Sequence, residues 1–199
     1  PKAKHYEWWG DTNPLSGALA LADRIVAVSP HYVTEITTPE GGFGLDAALR
    51  ARGDALVGIL NGIDIDVWNP ADNPLLVQNF DAKTLAKRPA NRTALLKRLG
   101  LPGDDVPLAT IVTRLTHQKG VDLITPLVPL LADIPMRLGI LGSGDAVLAA
   151  ELHRLVDAYP EHLAFVEGYD EALSQQMFVG GELFHMPVPY TQLYVHCMV

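Results

Sequence analysis

From Val106 onward the apolar positions repeat in a regular way. Short apolar runs, Leu108–Val112, Met136–Leu141, Leu163–Val166 and Leu183–Met186, alternate with stretches of helical spacing. Compact apolar runs of this kind read as strands buried on both faces. The helical stretches fall at about Lys119–Ala132, Ala146–Tyr159 and Glu171–Val179. In the second of these, Leu148, Leu152, Leu155 and Tyr159 share one face. Strands alternating with helices predict βαβ units on a parallel sheet, an α/β fold. Pro126 and Pro129 predict a kink in the first helix, because each removes an N–H donor.

The first half is less regular. Arg24–Val28 and Leu56–Leu60 read as strands, and Leu15–Ala22 and Leu45–Arg52 as short helices. Ser29 is placed to cap a further helix with Pro30 at its first position, putting Tyr32, Val33 and Ile36 on one face. Thr37–Gly44 is a glycine-rich turn region. Asn61-Gly62 tolerates positive φ and predicts a sharp turn. Residues 69–90 carry Pro70, Pro74 and Pro89 and read as a connector, with a short helix near Ala82–Lys87. Asn91–Leu99 is an amphipathic helix with Leu95, Leu96 and Leu99 inward, stopped by Gly100 and Pro102. Trp8 and Trp9 form an aromatic pair that packing explains more readily than a sugar platform.

Composition narrows the function classes. The 199 residues suffice for one domain, or one domain and part of another. A formal net charge of -8 argues against nonspecific nucleic-acid binding. No run of about 18 apolar residues exists to span a membrane. The single cysteine, Cys197, excludes an internal disulfide and a CxxC metal site. The seven histidines show no metal spacing, so no metal and no cofactor are expected; His153 reads as exposed and His185 as a core residue. Pro1 at the start and Val199 inside an apolar run read as cut ends.

Candidate chemistry sits at the carboxyl ends of the regular strands. Arg114 and Lys119 follow the Leu108–Val112 run and precede a helical pattern. Two cations there suit a phosphate, a planar fork and a mobile point charge sharing a diphosphate. On spacing alone they are equally well read as surface cations. Gly142 and Gly144, in Leu141-Gly142-Ser143-Gly144-Asp145, let a ligand or the neighbouring chain come close to the backbone. They fit two places of the dinucleotide fingerprint GxGxxG, but Val147 occupies the third, which argues against a nicotinamide enzyme. Tyr169, in the next strand exit, could stack on a purine or simply pack at the surface.

Longer stretches carry a resemblance. The segment Ala22–Ala71, with VSP, EI.TPE.G.GL and NGID…WNPA, is similar to bacterial glycogen synthases and plant starch synthases, as are TRLTHQKGVDL, LGSGD, EGYDEAL and TQLY. The resemblance runs from Trp8 to Tyr194. It implies parallel-sheet Rossmann-like units of a two-domain GT-B type glycosyltransferase, both domains incomplete. Residues 1–72 would be the C-terminal part of the acceptor-side domain, 73–104 a connector with a helix, and 105–199 a truncated nucleotide-binding domain. The activity implied is transfer of glucose from ADP-glucose to the non-reducing end of an α-1,4-glucan, with retention. The partners are then ADP-glucose and the glucan, with no nucleic acid and no membrane. Arg114 and Lys119 correspond to the family's diphosphate-binding catalytic pair. Asn61 and Asp64 of NGID, Gly142, Gly144, Tyr169 at the adenine and Thr191 of TQLY are the substrate-binding positions. The implied location is bacterial cytoplasm or plastid.

The chain departs from the family after Met186. Where the family reads Met-Pro-Ser-Arg-Phe-Glu-Pro-Cys-Gly-Leu-Thr-Gln-Leu-Tyr, this chain reads Met186-Pro187-Val188-Pro189-Tyr190-Thr191-Gln192-Leu193-Tyr194. A glutamate of the family's active site is missing, as are its lysine- and glycine-rich loop and a cleft histidine. The expectation is a piece of such an enzyme, inactive in isolation. The alternative is a noncatalytic nucleotide- or glucan-binding module. The residues themselves do not separate ADP-glucose from UDP-glucose.

Overall fold

The structure is a computed structural model and describes residues 3–8 and 10–186. Trp9 lies outside these residues, as does Thr191. The chain divides into two compact units, one ending at Ile63 and the other starting at Asp64.

The first unit opens with a small antiparallel hairpin, β1 (Glu7–Trp8) and β2 (Asp11–Thr12). Helix α1 (Pro14–Leu21) follows, started by Asn13, whose side chain accepts from the amides of Leu15 and Ser16. Strand β3 (Ile25–Ala27) leads to α2 (Pro30–Ile36), α3 (Pro39–Gly42) and α4 (Asp46–Arg50), then β4 (Leu56–Gly58). Ser29 caps α2 as expected: its Oγ accepts from the Tyr32 amide at 2.9 Å, with Pro30 in the first helical position. Strands β3 and β4 pair in parallel, Ile25 opposite Leu56. The turn expected at Asn61-Gly62 does not form. Neither residue takes positive φ, and the chain runs on without regular structure through Ile63.

The second unit starts irregularly, but its opening stretch is not loose. Leu76 is buried. Gln78 and Asn91 exchange hydrogen bonds, the Gln78 amide to Asn91 Oδ1 at 3.2 Å and Asn91 Nδ2 to the Gln78 carbonyl at 2.7 Å. Asn73 donates to Gln175, and both are buried. Polar side chains thus tie the connector to α5 (Pro89–Leu99) and α8 (Glu171–Gly180), which satisfies backbone groups that have no ladder of their own. The short helix expected before α5 is a 3-10 turn, Leu85–Lys87. Gly100 ends α5 in the left-handed conformation at φ 71°, as Gly-then-Pro predicts.

Four parallel strands follow: β5 (Leu108–Val112), β6 (Arg137–Gly142), β7 (Leu163–Glu167) and β8 (Leu183–Phe184), in the order β7-β6-β5-β8. Strand residues alternate between two cores. Ala109, Ile111, Leu138, Ile140 and Leu163 face α6 (Val121–Ile124), the turns after it and α7 (Ala146–Ala158). Leu108, Leu141 and Ala164 face Leu95 and Leu96 of α5 and Leu173 and Met177 of α8. Burial on both faces is why the strands read as apolar runs rather than alternating ones. The Thr110 hydroxyl, fully buried, is satisfied by the Met177 carbonyl at 3.1 Å.

Two expectations need correction here. The helix predicted over Lys119–Ala132 keeps only one α turn, α6, and continues as a 3-10 helix, Thr125–Ala132. Pro126 and Pro129 withhold two donors within four residues, which the α ladder cannot absorb as a simple kink. The fourth strand is two residues long, and His185 beyond it is exposed, with its amide donating to the Thr110 carbonyl at 2.9 Å.

Arg137, the first residue of β6, is buried and donates with both terminal nitrogens to the Asp104 carboxylate, while its Nε reaches the Glu161 carbonyl at 3.0 Å. The hydrogen bonds from Arg137 hold the Asp104 carboxyl down at about 2, against 3.8 ordinarily. The folded value lies below the unfolded one. This pair therefore stabilises the fold above about pH 4 and loses its contribution as the pH falls towards 2. Urea titrations of the full chain and of Asp104→Asn should show the variant weaker at pH 7 and the difference closing by pH 2–3 on this account.

In the first unit Val26, Ile59 and Leu60 are exposed beside a two-stranded parallel sheet. Parallel strands are ordinarily covered on both faces and flanked by neighbours. Light scattering of the purified chain should therefore show self-association, growing with concentration; a monodisperse monomer would contradict this.

Candidate active site

The exits of β5, β6 and β7 surround an open hollow of about 150 Å³. Val112, Thr113 and Arg114 line it from β5, Leu141, Gly142 and Ser143 from β6, and Gly168, Tyr169, Asp170 and Ser174 from the β7 exit and α8. Three of the expected residues meet here: Arg114, Gly142 and Tyr169. The carboxyl ends of parallel strands are where open α/β sheets bind ligands.

The β5 exit is fixed by the β6 exit. The Thr113 amide donates to the Leu141 carbonyl at 3.0 Å, the Leu115 amide to the Ser143 carbonyl at 2.9 Å, and the Asp145 amide to the Leu115 carbonyl at 2.8 Å. Leu115 is fully buried beneath these bonds. Glycine is required at both partners. A Cβ on Gly142 would sit 2.1 Å from the Thr113 carbonyl oxygen, and one on Gly144, at φ 154°, 2.5 Å from that of Leu115. Of the two approaches the sequence left open, that of the neighbouring chain is therefore present at both glycines.

Held between Thr113 and Leu115, Arg114 is exposed on the wall of the hollow. Its guanidinium has no acceptor among the described residues, whereas every other arginine there has one, from Arg24 on the Asp54 carbonyl to Arg154 on Glu151. Lys119 is half-buried at the end of the 3-10 turn His117–Lys119 and does not line the hollow. Tyr169 is 88% exposed, so its ring is not packed into the protein surface. It follows the edge strand β7, not the reversal of strand order, which falls between β5 and β8. Asn61, exposed, belongs to the first unit. Asp64 opens the second, where its Oδ1 accepts from the amides of Asp66 and Val67 at 3.0 and 3.2 Å.

The helix starts at the rim are occupied by the protein's own carboxylates. Asp145 caps α7 through the amides of Val147 and Leu148, and Asp170 caps α8 through that of Leu173 at 2.8 Å. The helix after β5 is a single turn. Positive charge for an anion thus comes from side chains, Arg114 above all, more than from helix dipoles. Thr113, Ser143, Asp170 and Ser174 also line the hollow, beyond the residues expected from the sequence. The first two could have been found as the residues at strand exits, and Asp170 as an acidic residue three before the apolar Leu173 of a helix. Among the described residues no group of three or more His, Cys, Asp or Glu could hold a metal, and no helix is long and apolar enough to cross a membrane.

Parallel strands with a hollow at their carboxyl ends define an α/β fold of Rossmann-like type, and the starch synthase catalytic domain on which the chain superposes gives it the GT-B type of glycosyltransferase fold. The model of the starch synthase catalytic domain family matches residues 2–51. The glycogen synthase of Methylocella silvestris is 44% identical over 182 residues, covering 91% of this chain and 38% of the relative. That of Nitrosomonas eutropha is 43% identical over 182 residues, covering 91% and 36%. The catalytic domain of starch synthase IV from Arabidopsis thaliana, solved with ADP and acarbose bound, superposes with a TM-score of 0.83 at 34% identity, over 96% of this chain and 41% of that one. Anabaena HepE, solved with UDP-glucose, shares the fold at a TM-score of 0.53 and 17% identity, over 84% of this chain and 39% of that one. The resemblance to glycogen and starch synthases holds across both units, and the chain spans less than two-fifths of the length of these bacterial relatives.

Gly142→Ala should destabilise the second unit by about 1–3 kcal/mol, the usual cost of overpacking, because the Thr113 carbonyl must move. Chemical denaturation measures it; an unchanged midpoint would show that the β5 exit is not held as described.

Proposed function

We propose that this chain is a piece of a glycogen or starch synthase and that the hollow of its second unit takes the nucleotide of ADP-glucose. One observation carries the reading: Arg114, which has no acceptor among the described residues, lines the same strand-exit hollow as the exposed Tyr169. An exposed guanidinium suits a diphosphate, and a free aromatic face suits a purine. Within this reading residues 1–72 come from the acceptor-side domain, 73–104 connect, and 105–199 form the nucleotide-binding domain. Asn61, Asp64, Gly144 and Thr191 keep their substrate-binding assignments from the family.

The full-length enzyme would transfer glucose, with retention, to the non-reducing end of an α-1,4-glucan. Departure of ADP leaves negative charge on the diphosphate. Arg114 and Lys119 neutralise it, an effect worth most where water is excluded. This chain lacks the family's Glu-Pro-Cys-Gly segment, so alone it transfers no glucose. Its location would be the bacterial cytoplasm or a plastid, as for the glycogen and starch synthases.

Calorimetric titration of the chain with ADP, with UDP as control, tests the reading. ADP should bind saturably and more tightly than UDP. Arg114→Ala and Lys119→Ala should each weaken ADP by roughly 10- to 100-fold, the range for a lost charge-assisted hydrogen bond. Absence of ADP binding, or binding indifferent to both variants, would refute it. Glucose incorporation into glycogen by the chain alone would refute the statement that it is inactive.

A further inference from the structure

One residue lining the hollow carries a carboxylate, Asp170. Beside a diphosphate this charge is a liability. Its two oxygens are both engaged within the protein. Oδ1 accepts from the Leu173 amide at 2.8 Å, capping α8, and Oδ2 pairs with the Arg98 guanidinium. Arg98 lies on α5, away from the hollow lining. Its other terminal nitrogen donates to Gln176 Oε1 at 2.8 Å, and Gln176 Nε2 in turn donates to the Leu75 carbonyl at 2.7 Å. The arginine is thus oriented by a relay that ends on the connector, and one arm of it is committed to the Asp170 carboxylate.

From this arrangement we infer that Arg98 is a positioning residue for the anionic ligand: it offsets the Asp170 charge so that Arg114 acts on the diphosphate unopposed. The inference rests on the nucleotide reading of the hollow. Asp170 is needed as the cap of α8, and an aspartate there brings a negative charge to the wall. Arg98 removes the electrostatic cost without occupying the site. With Arg98 present, the side-chain charges on Arg98, Arg114 and Asp170 sum to one positive; without it they cancel. The pair is about one-third exposed, 37% and 36%, so solvent and salt reduce the effect to a moderate one.

The test uses titration of the full chain with ADP and, separately, with adenosine, which carries no phosphate. Arg98→Met should weaken ADP roughly three- to tenfold at low salt, as expected for a partly screened charge, and leave adenosine unchanged. Asp170→Asn keeps the cap, since asparagine accepts the same amide bond equally well, and should bind ADP as tightly as the parent or more so. The double variant should recover the parent's affinity. A loss in Arg98→Met that affects adenosine equally, or that Asp170→Asn does not recover, would reduce Arg98 to a structural tie between α5 and α8 and overturn the inference. The same follows if ADP affinity is unmoved in every variant. Failure of the parent chain to take up ADP overturns the nucleotide reading and this inference with it, which separates the two failures.

Discussion

The site depends on the way one strand exit is fastened to the next. β5 does not leave the sheet at Val112. Its backbone continues to bond to the β6 exit as far as Leu115, whose side chain is fully buried. The backbone on both sides of Arg114 is held by these bonds. An arginine left to itself on a surface finds a carboxylate or a carbonyl, as the others in this chain do. The glycines at 142 and 144 are what allow the two loops to lie so close.

The same economy governs charge at the rim. Helices α7 and α8 begin beside the strand exits, and each uses an aspartate to satisfy its first amides. That choice stabilises the helix starts but takes the backbone donors that an anion would otherwise use. The side-chain cations then carry the attraction. Asp170 is paired with Arg98, which also donates to Gln176. Both lie on helices whose inner faces, Leu95 and Leu96 on one and Leu173 and Met177 on the other, form a shared core. Packing sets the distance between α5 and α8, and that distance sets the ion pair.

The matched family model falls on residues 2–51, within the first unit, while the hollow is in the second. Similarity to the glycogen synthases extends across both. Where the chain departs from the family, after Met186, lies outside the described residues, as does Thr191. Among the described residues, those lining the hollow come from the exits of β5, β6 and β7 and from α8.

Local chemistry was enough to read much of this from the sequence. The buried strands β5, β6 and β7, the helices α5, α7 and α8 and the Ser29 and Gly100 caps are each fixed by residues adjacent in the chain, through apolar period, a side-chain oxygen or a left-handed glycine. Arg114, Gly142 and Tyr169 were legible as strand-exit residues for the same reason. The tertiary structure decided the rest. It left Asn61-Gly62 without a turn, because a dipeptide that permits positive φ does not compel it. It converted the Lys119–Ala132 pattern to 3-10 geometry, where two missing donors outweighed an apolar period. It placed His185 outside the core, because β8 ends before reaching it. It also joined Arg98 to Asp170, 72 positions apart, an ion pair for which no spacing rule exists. Periodicity is a property of neighbours along the chain; the Arg98–Asp170 ion pair belongs to helices brought together by packing.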